Sequence, residues 1–298
     1  MMRLTKRFTV AGVVAALAVA GMSLPGAARR AGAEEVRRVA ERLIPFSPGG
    51  EIKVIDKNGR VVIEAWPRHE VRVQVTRVVR AGDRAKAEAL MKELQADIEV
   101  GSDRIAIESR FPKRIETIGL WDILGRKVAA LQINYYIQVP EESKLVLRTA
   151  NGDVRVTATR GSVDAATTNG DIRVENVKGN LDLLTTNGEV HLTALEGGVN
   201  AHTTNGSIYA EVRKITPRGW VDFGTTNGSV EALFASDLKA TVTATTTNGQ
   251  VSIDFPVAQE GAMTSKTIHG TIQGGGAKIS LGTTNGNVEV RRLGARRP

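Results

Sequence analysis

Carboxylates recur at fixed intervals in the second half of the chain, and they are its first candidates for chemistry. They open a set of polar residues that each follow an Asn-Gly pair or, in one copy, His269-Gly270. The set is Asp153, Asp171, Glu189, Ser207, Ser229, Gln250, Thr271 and Asn287. Stacked acids of this kind can hold a divalent cation. Two positions further on, however, stand Arg155, Arg173 and His191. Since alternating acidic and basic positions neutralise each other as cross-strand pairs, we favour a structural role over a metal site.

A second polar row has the same periodicity, and it raises the question of an enzyme. Its members are Asp164, Asp182, Asn200 and Asp222. Glycan-cleaving enzymes need paired carboxylates in a groove, and this regular row has no long loop beside it to form a groove wall. The histidines are His69, His191, His202 and His269, and none has metal-ligand spacing to another. We therefore predict a protein that is not an enzyme and has no cofactor or metal site.

The composition excludes several further classes of protein. The chain has no cysteine, so disulfides, Cys-ligated zinc, a thiol nucleophile and a lipoprotein anchor are all excluded. The formal net charge is +8, but five of the basic residues lie in the first 33 residues, so the remainder carries only +3. That small charge gives no reason to expect nucleic-acid binding. The basic end of the chain, residues 292–298, is expected to be a solvated tail.

The N-terminus has the pattern of an export signal. The basic "MMRLTKR" precedes the apolar "FTVAGVVAALAVAGMSL", and "AGA" at Ala31–Ala33 offers small residues for cleavage before Glu34. The apolar run is at the short limit for a spanning helix, so a retained anchor is the alternative. We expect residues 1–33 to be a signal peptide and the protein to act in the periplasm or at the cell surface, with no membrane span after cleavage.

The segment from residue 148 to 291 repeats one short motif. "TTNGDIRV", "TTNGEVHL" and "TTNGSIYA" follow each other at equal intervals, and the later copies are spaced less evenly. One copy, "TIHG", has His269 where the others have asparagine. The repeated asparagines are Asn151, Asn169, Asn187, Asn205, Asn227, Asn248 and Asn285. Self-similarity with a nearly fixed period is typical of stacked repeat proteins.

Two folds fit the alternation of apolar residues in this repeat. Val163, Ala165 and Thr167 share one face, whereas Ile172 and Val174 share a face of opposite parity, so the phase changes at each Asn-Gly corner. An antiparallel meander is one solution, because Asn-Gly is a strong hairpin signal. A parallel solenoid is the other, and we favour it because it hides the apolar face of every coil.

In the solenoid, equivalent side chains stack at about 4.8 Å. The repeated asparagines then form an amide ladder, glycine turns the chain, the first Thr faces inward and the second faces out. If that ladder is buried, replacing Asn187 by alanine should cost about 1–3 kcal/mol. The usual hand of β crossovers predicts right-handed coiling.

The preceding segment has a mixed pattern. Residues 34–50 form a polar lead-in, and residues 51–147 indicate an α+β region with alternating strands and one helix. Lys57-Asn58-Gly59 is expected to be a hairpin turn. Asp83 should cap a helix running through "GDRAKAEALMKELQADI", with Ala87, Leu90, Met91 and Leu94 on its buried face. Trp121, in an apolar stretch, is expected to cover the open end of the solenoid.

The stretch "YYIQVPEESKLVLRTANGDVRV" and the following "TTNG" coils resemble the DUF4097 family, bacterial adhesin-like proteins with β-strand repeats. The strand pair, helix and "DRIAIES" strand before them match the N-terminal layout of that family, so the resemblance covers about residues 45–291. It implies a β-solenoid and a cell-envelope setting, and it supplies no catalytic residues. Ile268-His269-Gly270 departs from the pattern and should weaken the ladder there.

These observations lead to one functional hypothesis with two alternatives. We expect an exported adhesin or structural scaffold that presents a solenoid surface to an unidentified envelope polymer or protein. The first alternative is a β-helix enzyme acting on polysaccharide. The second is an envelope scaffold that assembles through its coil ends. The sequence leaves the oligomeric state open.

Overall fold

The computed structural model describes residues 6–9, 34–112, 130–216, 218–259 and 264–294, with only the backbone of the first range. Trp121 lies outside these residues. The N-terminal part contains β1 (Lys6–Thr9), β2 (Glu34–Pro45), β3 (Glu51–Ile55), β4 (Val61–Trp66), β5 (Glu70–Ala81), α1 (Arg84–Glu93), β6 (Gln95–Val100), β7 (Arg104–Arg110) and β8 (Ala130–Pro140).

The repeat region consists of short strands that follow one another through the Asn-Gly corners. They are β9 (Lys144–Arg148), β10 (Val154–Thr157), β11 (Val163–Asn169), β12 (Ile172–Glu175), β13 (Leu181–Asn187), β14 (Val190–Glu196), β15 (Val199–Asn205), β16 (Ile208–Lys214), β17 (Trp220–Asn227), β18 (Val230–Phe234), β19 (Ala240–Asn248), β20 (Val251–Ile253), β21 (Val257–Gln259), β22 (Thr267–Ile272), β23 (Ala277–Asn285) and β24 (Val288–Arg292).

The strands form two sheets, and together they make a parallel β-solenoid, which confirms the predicted fold class. The large sheet has the order β1-β6-β7-β3-β9-β11-β13-β15-β17-β23-β19-β22-β21. The small sheet has the order β2-β5-β8-β4-β10-β12-β14-β16-β18-β24-β20. Each coil gives one strand to the large sheet, turns at its Asn-Gly corner and gives the next strand to the small sheet.

The predicted parity of the coils is confirmed by the core. Val163 and Ala165 of the large sheet are at most 1% exposed, and Ile172 and Val174 of the small sheet are fully buried. The change of phase at the corner therefore directs the apolar side chains of both strands into one interior. This interior is continuous from the N-terminal strands to the last coil, and the N-terminal part joins the repeat region in both sheets through the pairs β3–β9 and β4–β10.

The predicted hairpin at Lys57-Asn58-Gly59 is wrong. β3 and β4 lie in different sheets, where β3 pairs with β9 and β4 with β10, in parallel. Asn58 forms a parallel bridge with Asn151. The Asn-Gly pair is therefore the corner of a first coil, because parallel neighbours are available to β3 and β4 and replace the pairing that a hairpin would provide.

The coils do not stack in chain order at the C-terminal end. The coil β23/β24 lies between β17/β18 and β19/β20, so Asn285 is placed between Asn227 and Asn248. β22 runs antiparallel to β19 and pairs His269 with Thr243, so "TIHG" is not a corner and Thr271 is not in the acidic column. The expectation that His269 occupies a ladder position is wrong, because its strand covers the outer edge of the last coil instead of forming another one.

The predicted helix exists but is shorter than expected. The Asp83 side chain accepts a hydrogen bond from the Lys86 backbone N–H at 2.7 Å, and Ala87 and Met91 face the core, as predicted. The helix ends at Glu93, because Leu94 adopts an extended conformation, and the following "QADI" enters β6. In the part of the chain that the structure describes, no helix is long and apolar enough to cross a membrane.

The polar lead-in contains a long edge strand. β2 covers residues 34–45 and pairs antiparallel with β5 along its whole length. Its buried residues, Val36, Ala40 and Ile44, are four positions apart, a spacing that fits a helix better than a strand. Pairing with β5 overrides this local pattern, and ion pairs such as Arg80–Glu35 and Arg72–Glu41 join the two strands at 2.7 Å.

Candidate functional site: the Asn-Gly corner and its flanking faces

All seven repeated asparagines meet in one continuous column. In six of them, Nδ2 donates a hydrogen bond to the Oδ1 of the asparagine in the adjacent coil, at 2.8 or 2.9 Å. The order along the column is Asn151, Asn169, Asn187, Asn205, Asn227, Asn285 and Asn248. At one end, the Asn151 amide donates to the carbonyl oxygen of Lys57 at 3.3 Å. The inserted coil therefore completes the column rather than interrupting it.

The amide column lies on the surface. All seven asparagines are exposed, as are the outward threonines beside them. This differs from the buried ladder on which the large cost of removing Asn187 was based. Because water competes for exposed amides, each bond contributes less to stability than a buried one does. The amides nevertheless hold one another in a fixed orientation, so their remaining donors and acceptors are presented to solvent in a regular array.

A second column of hydrogen bonds lies just inside the corner. The inward Thr is buried in every coil from β9 onward, and in six of them its Oγ1 donates to the carbonyl oxygen of the corner glycine in the adjacent coil at 2.8–3.1 Å. The threonines are Thr167, Thr185, Thr203, Thr225, Thr283 and Thr246. Sequence reasoning placed this threonine inward but did not predict its hydrogen bond. The available signal was that threonine recurs at an inward position where valine would pack equally well.

The corner glycines are required by close contact between coils. A Cβ on Gly170 would lie 2.2 Å from the carbonyl oxygen of Gly152, and that carbonyl also accepts the hydrogen bond from Thr167. Gly170 also has a φ of +157°, which residues other than glycine rarely adopt. The corner of one coil therefore fits directly against the next, and this contact is what brings both hydrogen-bonded columns into register.

The acidic column uses its carboxylates to join coils. The Asp171 and Glu189 backbone N–H groups donate to Oδ1 of Asp153 and Asp171 at 3.2 and 2.9 Å. Ser207, Ser229 and Asn287 accept from the next coil in the same way. Two of the carboxylates also form ion pairs, Arg60–Asp153 at 3.1 Å and Arg173–Asp171 at 2.9 Å, and Glu189 is hydrogen-bonded to His191 Nε2 at 2.8 Å. Within the described ranges, no three acidic or histidine side chains are placed to hold a metal ion.

The second polar row lies on the outer face of the large sheet. Asp164 pairs with Arg148, the Asn200 amide donates to Asp182 Oδ1 at 3.0 Å, and Asp222 faces His202 with 3.8 Å between Oδ2 and Nε2. The members of the row are registered neighbours on successive strands. They therefore form a line along an open sheet face, and each acid has a partner on that face.

The four histidines occupy separate places. His191 and His202 point outward, as predicted, on opposite sheets, and the His191 ring lies 6.3 Å from the ring of Tyr209. His269 Nδ1 is hydrogen-bonded to Thr243 Oγ1 at 2.9 Å. His69 is exposed in the turn before β5. All four lie within the described residues, and no two of them lie on the same strand face at a spacing that would let both bind one metal ion.

Asp56 is a buried acid that sequence reasoning missed. Ile55 is registered with Arg148, so Asp56 lies beside Thr149. In the first coil, Asp56 therefore occupies the position that the inward threonine has in the later coils. It is 4% exposed, and neither carboxylate oxygen has a partner in good hydrogen-bond geometry. Burial raises the pKa of Asp56 to about 6, and the nearby Ser109 hydroxyl opposes this rise only in part. The sequence did contain a signal, because Asp56 stands two positions before an Asn-Gly pair, where the corner of every other coil has a threonine.

Comparison with known proteins identifies a family and a set of similar folds. The sequence model of the family described as Toastrack DUF4097 matches residues 143–291, half of the chain. No curated protein matches the chain.

Three solved structures are similar over most of their length. A "putative adhesin" from Bacteroides fragilis has 10% identity and a TM-score of 0.38, covering 86% of this chain and 97% of that one. A "putative adhesin" from Parabacteroides distasonis has 12% identity and a TM-score of 0.35, covering 85% and 97%. A "putative cell adhesion protein" from Clostridium sporogenes has 9% identity and a TM-score of 0.32, covering 87% and 99%.

Proposed function

The chain belongs to the DUF4097 (Toastrack) family, and from this premise we propose that it is an exported, non-enzymatic protein of the cell envelope. Its role is that of an adhesin or structural scaffold. The solenoid presents a rigid surface to an envelope polymer or to another protein. The pattern of residues 1–33 supports export, since a basic segment, an apolar core and a small-residue cleavage site follow one another there.

The observation that carries this proposal is the repeated polar surface at the corner. We call it the Thr-Asn edge, and it comprises the seven asparagines with the exposed Thr168, Thr186, Thr204, Thr226, Thr284 and Thr247. It offers the same hydroxyl and amide groups once per coil, at about 4.8 Å. A surface with such a short repeat suits a partner that also repeats, because many weak contacts then add along its length.

The charge arrangement supports binding rather than catalysis. A glycosidase needs two carboxylates with different pKa values facing one bond. Here the acids of both polar rows are engaged by arginine, histidine, amide or backbone groups of the sheets themselves. Self-assembly through coil ends has little to build on at the C-terminal end, where β20 and β21 are each only 3 residues long.

Retention of envelope material by the purified protein tests this function. We expect the protein to retain a component of the envelope fraction, and the triple variant Thr186→Val, Thr204→Val, Thr226→Val to lose most of that retention. The matched control is Thr157→Val with Thr193→Val, because these threonines face outward on the small sheet. Failure of the parent protein to retain any envelope component would contradict the proposal, and release of soluble sugars from a retained glycan would favour the enzyme instead.

A further inference from the structure

Two glycines lie side by side in the outer face of the large sheet, and the one on β23 leaves a depression there. Gly224 of β17 and Gly282 of β23 are registered partners on adjacent central strands, and both occupy outward positions. Their neighbours in the same row are His202 on β15 and Thr245 on β19. Glycine inside a strand often marks a place where something approaches the backbone closely. At Gly224 this is the His202 imidazole, because a Cβ there would lie 2.4 Å from Nδ1, whereas the space over Gly282 is open. We call this depression the glycine trough.

Polar side chains surround the trough on every side. His202 and Thr245 border it across the strands, Asp222 and Ser280 lie before it along the strands, and Thr226 and Thr284 lie after it. The depression is shallow and open to solvent, with a volume of about 390 Å³. The backbone groups of the floor are engaged in the hydrogen bonds of the sheet on both sides. The floor at Gly282 therefore offers no free donor, whereas the rim offers four hydroxyls, one carboxylate and the imidazole that lies over Gly224.

This arrangement matches the shape of a pyranose ring. A pyranose has two flat faces of C–H groups, and its equatorial hydroxyls point outward in the plane of the ring. Laid on Gly282 with one edge against the His202 imidazole, it covers the exposed peptide surface with its C–H face and directs its hydroxyls to the rim. We propose that the glycine trough binds one residue of a neutral oligosaccharide. This inference rests on the proposed function, because it names the chemical class of the envelope ligand.

Other occupants fit the trough less well. An anionic group would face Asp222, and the rim has no lysine or arginine to attract it. A divalent cation would find a single carboxylate there, fewer acidic ligands than protein calcium sites supply. An apolar aromatic molecule would cover the floor but would form no hydrogen bonds with the rim groups.

An exposed tryptophan extends the same surface. Trp220 lies on β17 two and four positions before Asp222 and Gly224, so all three point outward from one strand. Its indole is placed against Gly198 and remains 40% exposed. Amphipathic rings of this kind are common at binding surfaces. An oligosaccharide that follows β17 would place one ring in the trough and a later ring against the indole, so longer ligands should bind more tightly.

Filling the trough tests the proposal. The purified full-length protein is titrated calorimetrically with cellopentaose, chitopentaose and mannopentaose, with oligogalacturonate as the anionic comparison. We expect at least one neutral pentasaccharide to bind, and Gly282→Val to weaken that binding at least tenfold. A Cβ on Gly282 meets only Thr245 Oγ1 at 3.5 Å, so the variant should fold. The control is Ala166→Val, in the same outward row on β11.

The rim is tested by a second pair of variants. Asp222→Asn should weaken binding of the same pentasaccharide several-fold, whereas Asp182→Asn, in the same polar row but two strands away, should leave it unchanged. The inference is overturned if no neutral pentasaccharide binds, if oligogalacturonate binds best, or if Gly282→Val binds as the parent does. Unchanged retention of envelope material by Gly282→Val would reject the trough while leaving the proposed function intact.

Discussion

The central coils and the coils at the two ends of the solenoid share one corner chemistry but differ in how they are assembled. From β9/β10 to β17/β18, each coil stacks on the one that precedes it in the chain. At the C-terminal end, β23/β24 is inserted between two earlier coils, and at the N-terminal end Asp56 replaces the inward threonine. The corner therefore determines how two coils fit together but not which coils become neighbours.

The choice of neighbour depends on what closes the end of the stack. After β19 and β20, the chain forms β21 and β22, and β22 lies antiparallel along the outer edge of β19. A coil carrying this cover can only be the last one, so the coil formed later in the chain has to enter beneath it. Three successive glycines, Gly274 to Gly276, all with positive φ, lead the chain into β23. The end of the solenoid is thus a closing element into which the C-terminal coil is inserted.

Removing the inserted coil should have the largest effect on this arrangement. In a chain that ends at Gly276, β19 and β20 lose their parallel partners β23 and β24. We expect hydrogen exchange to show loss of protection in β19, β20, β21 and β22, while β11, β13 and β15 stay protected. Retained protection in β19 would mean that its coil can stack directly on β17/β18, since both carry the same corner.

The N-terminal end should respond to pH through Asp56. The pKa of about 6 is above the ordinary value of 3.8, so the folded protein binds the proton more tightly than the unfolded chain does. The protonated acid stabilises the fold at low pH, and this contribution is lost as the pH rises from about 4 to about 6, at a cost of about 3 kcal/mol.

We therefore expect Asp56→Asn to raise the free energy of unfolding at pH 7 by roughly this amount and to flatten its pH dependence between 4 and 6. Urea unfolding at a series of pH values measures both effects. Asp103→Asn, at an exposed position, is the control and should change neither. A lower stability of Asp56→Asn at pH 7 would indicate that the charged carboxylate has a stabilising partner.

Sequence reasoning recovered the features that local chemistry determines. The parity of Val163 and Ala165, the corner asparagines and the Asp83 cap each follow from a few neighbouring residues. The position of β23 did not, because its "TTNG" corner is the same as that of β19 and suits either neighbour. The antiparallel course of β22 is likewise a pairing between distant segments. At Asn58, the local hairpin signal was strong, but parallel pairing with β9 and β10, which lie far along the chain, decided the outcome.

The buried threonines should contribute similarly in both regions. Thr185→Val in a central coil and Thr283→Val in the inserted coil keep the shape of the side chain but remove a donor to the carbonyl oxygen of Gly170 or Gly228. We expect each to lower the free energy of unfolding by about 1 kcal/mol, measured by urea denaturation. Thr186→Val, which faces outward, is the control. A much larger loss at Thr283 would mean that the inserted coil depends on this bond more than a central coil does.

The amide column should give the smallest effect, and it provides the most direct comparison of the two regions. Asn187 and Asn285 donate to their neighbours at the same 2.8 Å, and both are exposed. Because water can replace an exposed amide partner, we expect Asn187→Ala and Asn285→Ala each to cost about 0.5–1 kcal/mol in urea unfolding. Equal losses would mean that the inserted coil is held in the column as firmly as a coil stacked in chain order. A loss confined to Asn187 would instead indicate that the hydrogen bond from Asn285 to Asn227 contributes nothing, and that the inserted coil is held by its buried residues alone.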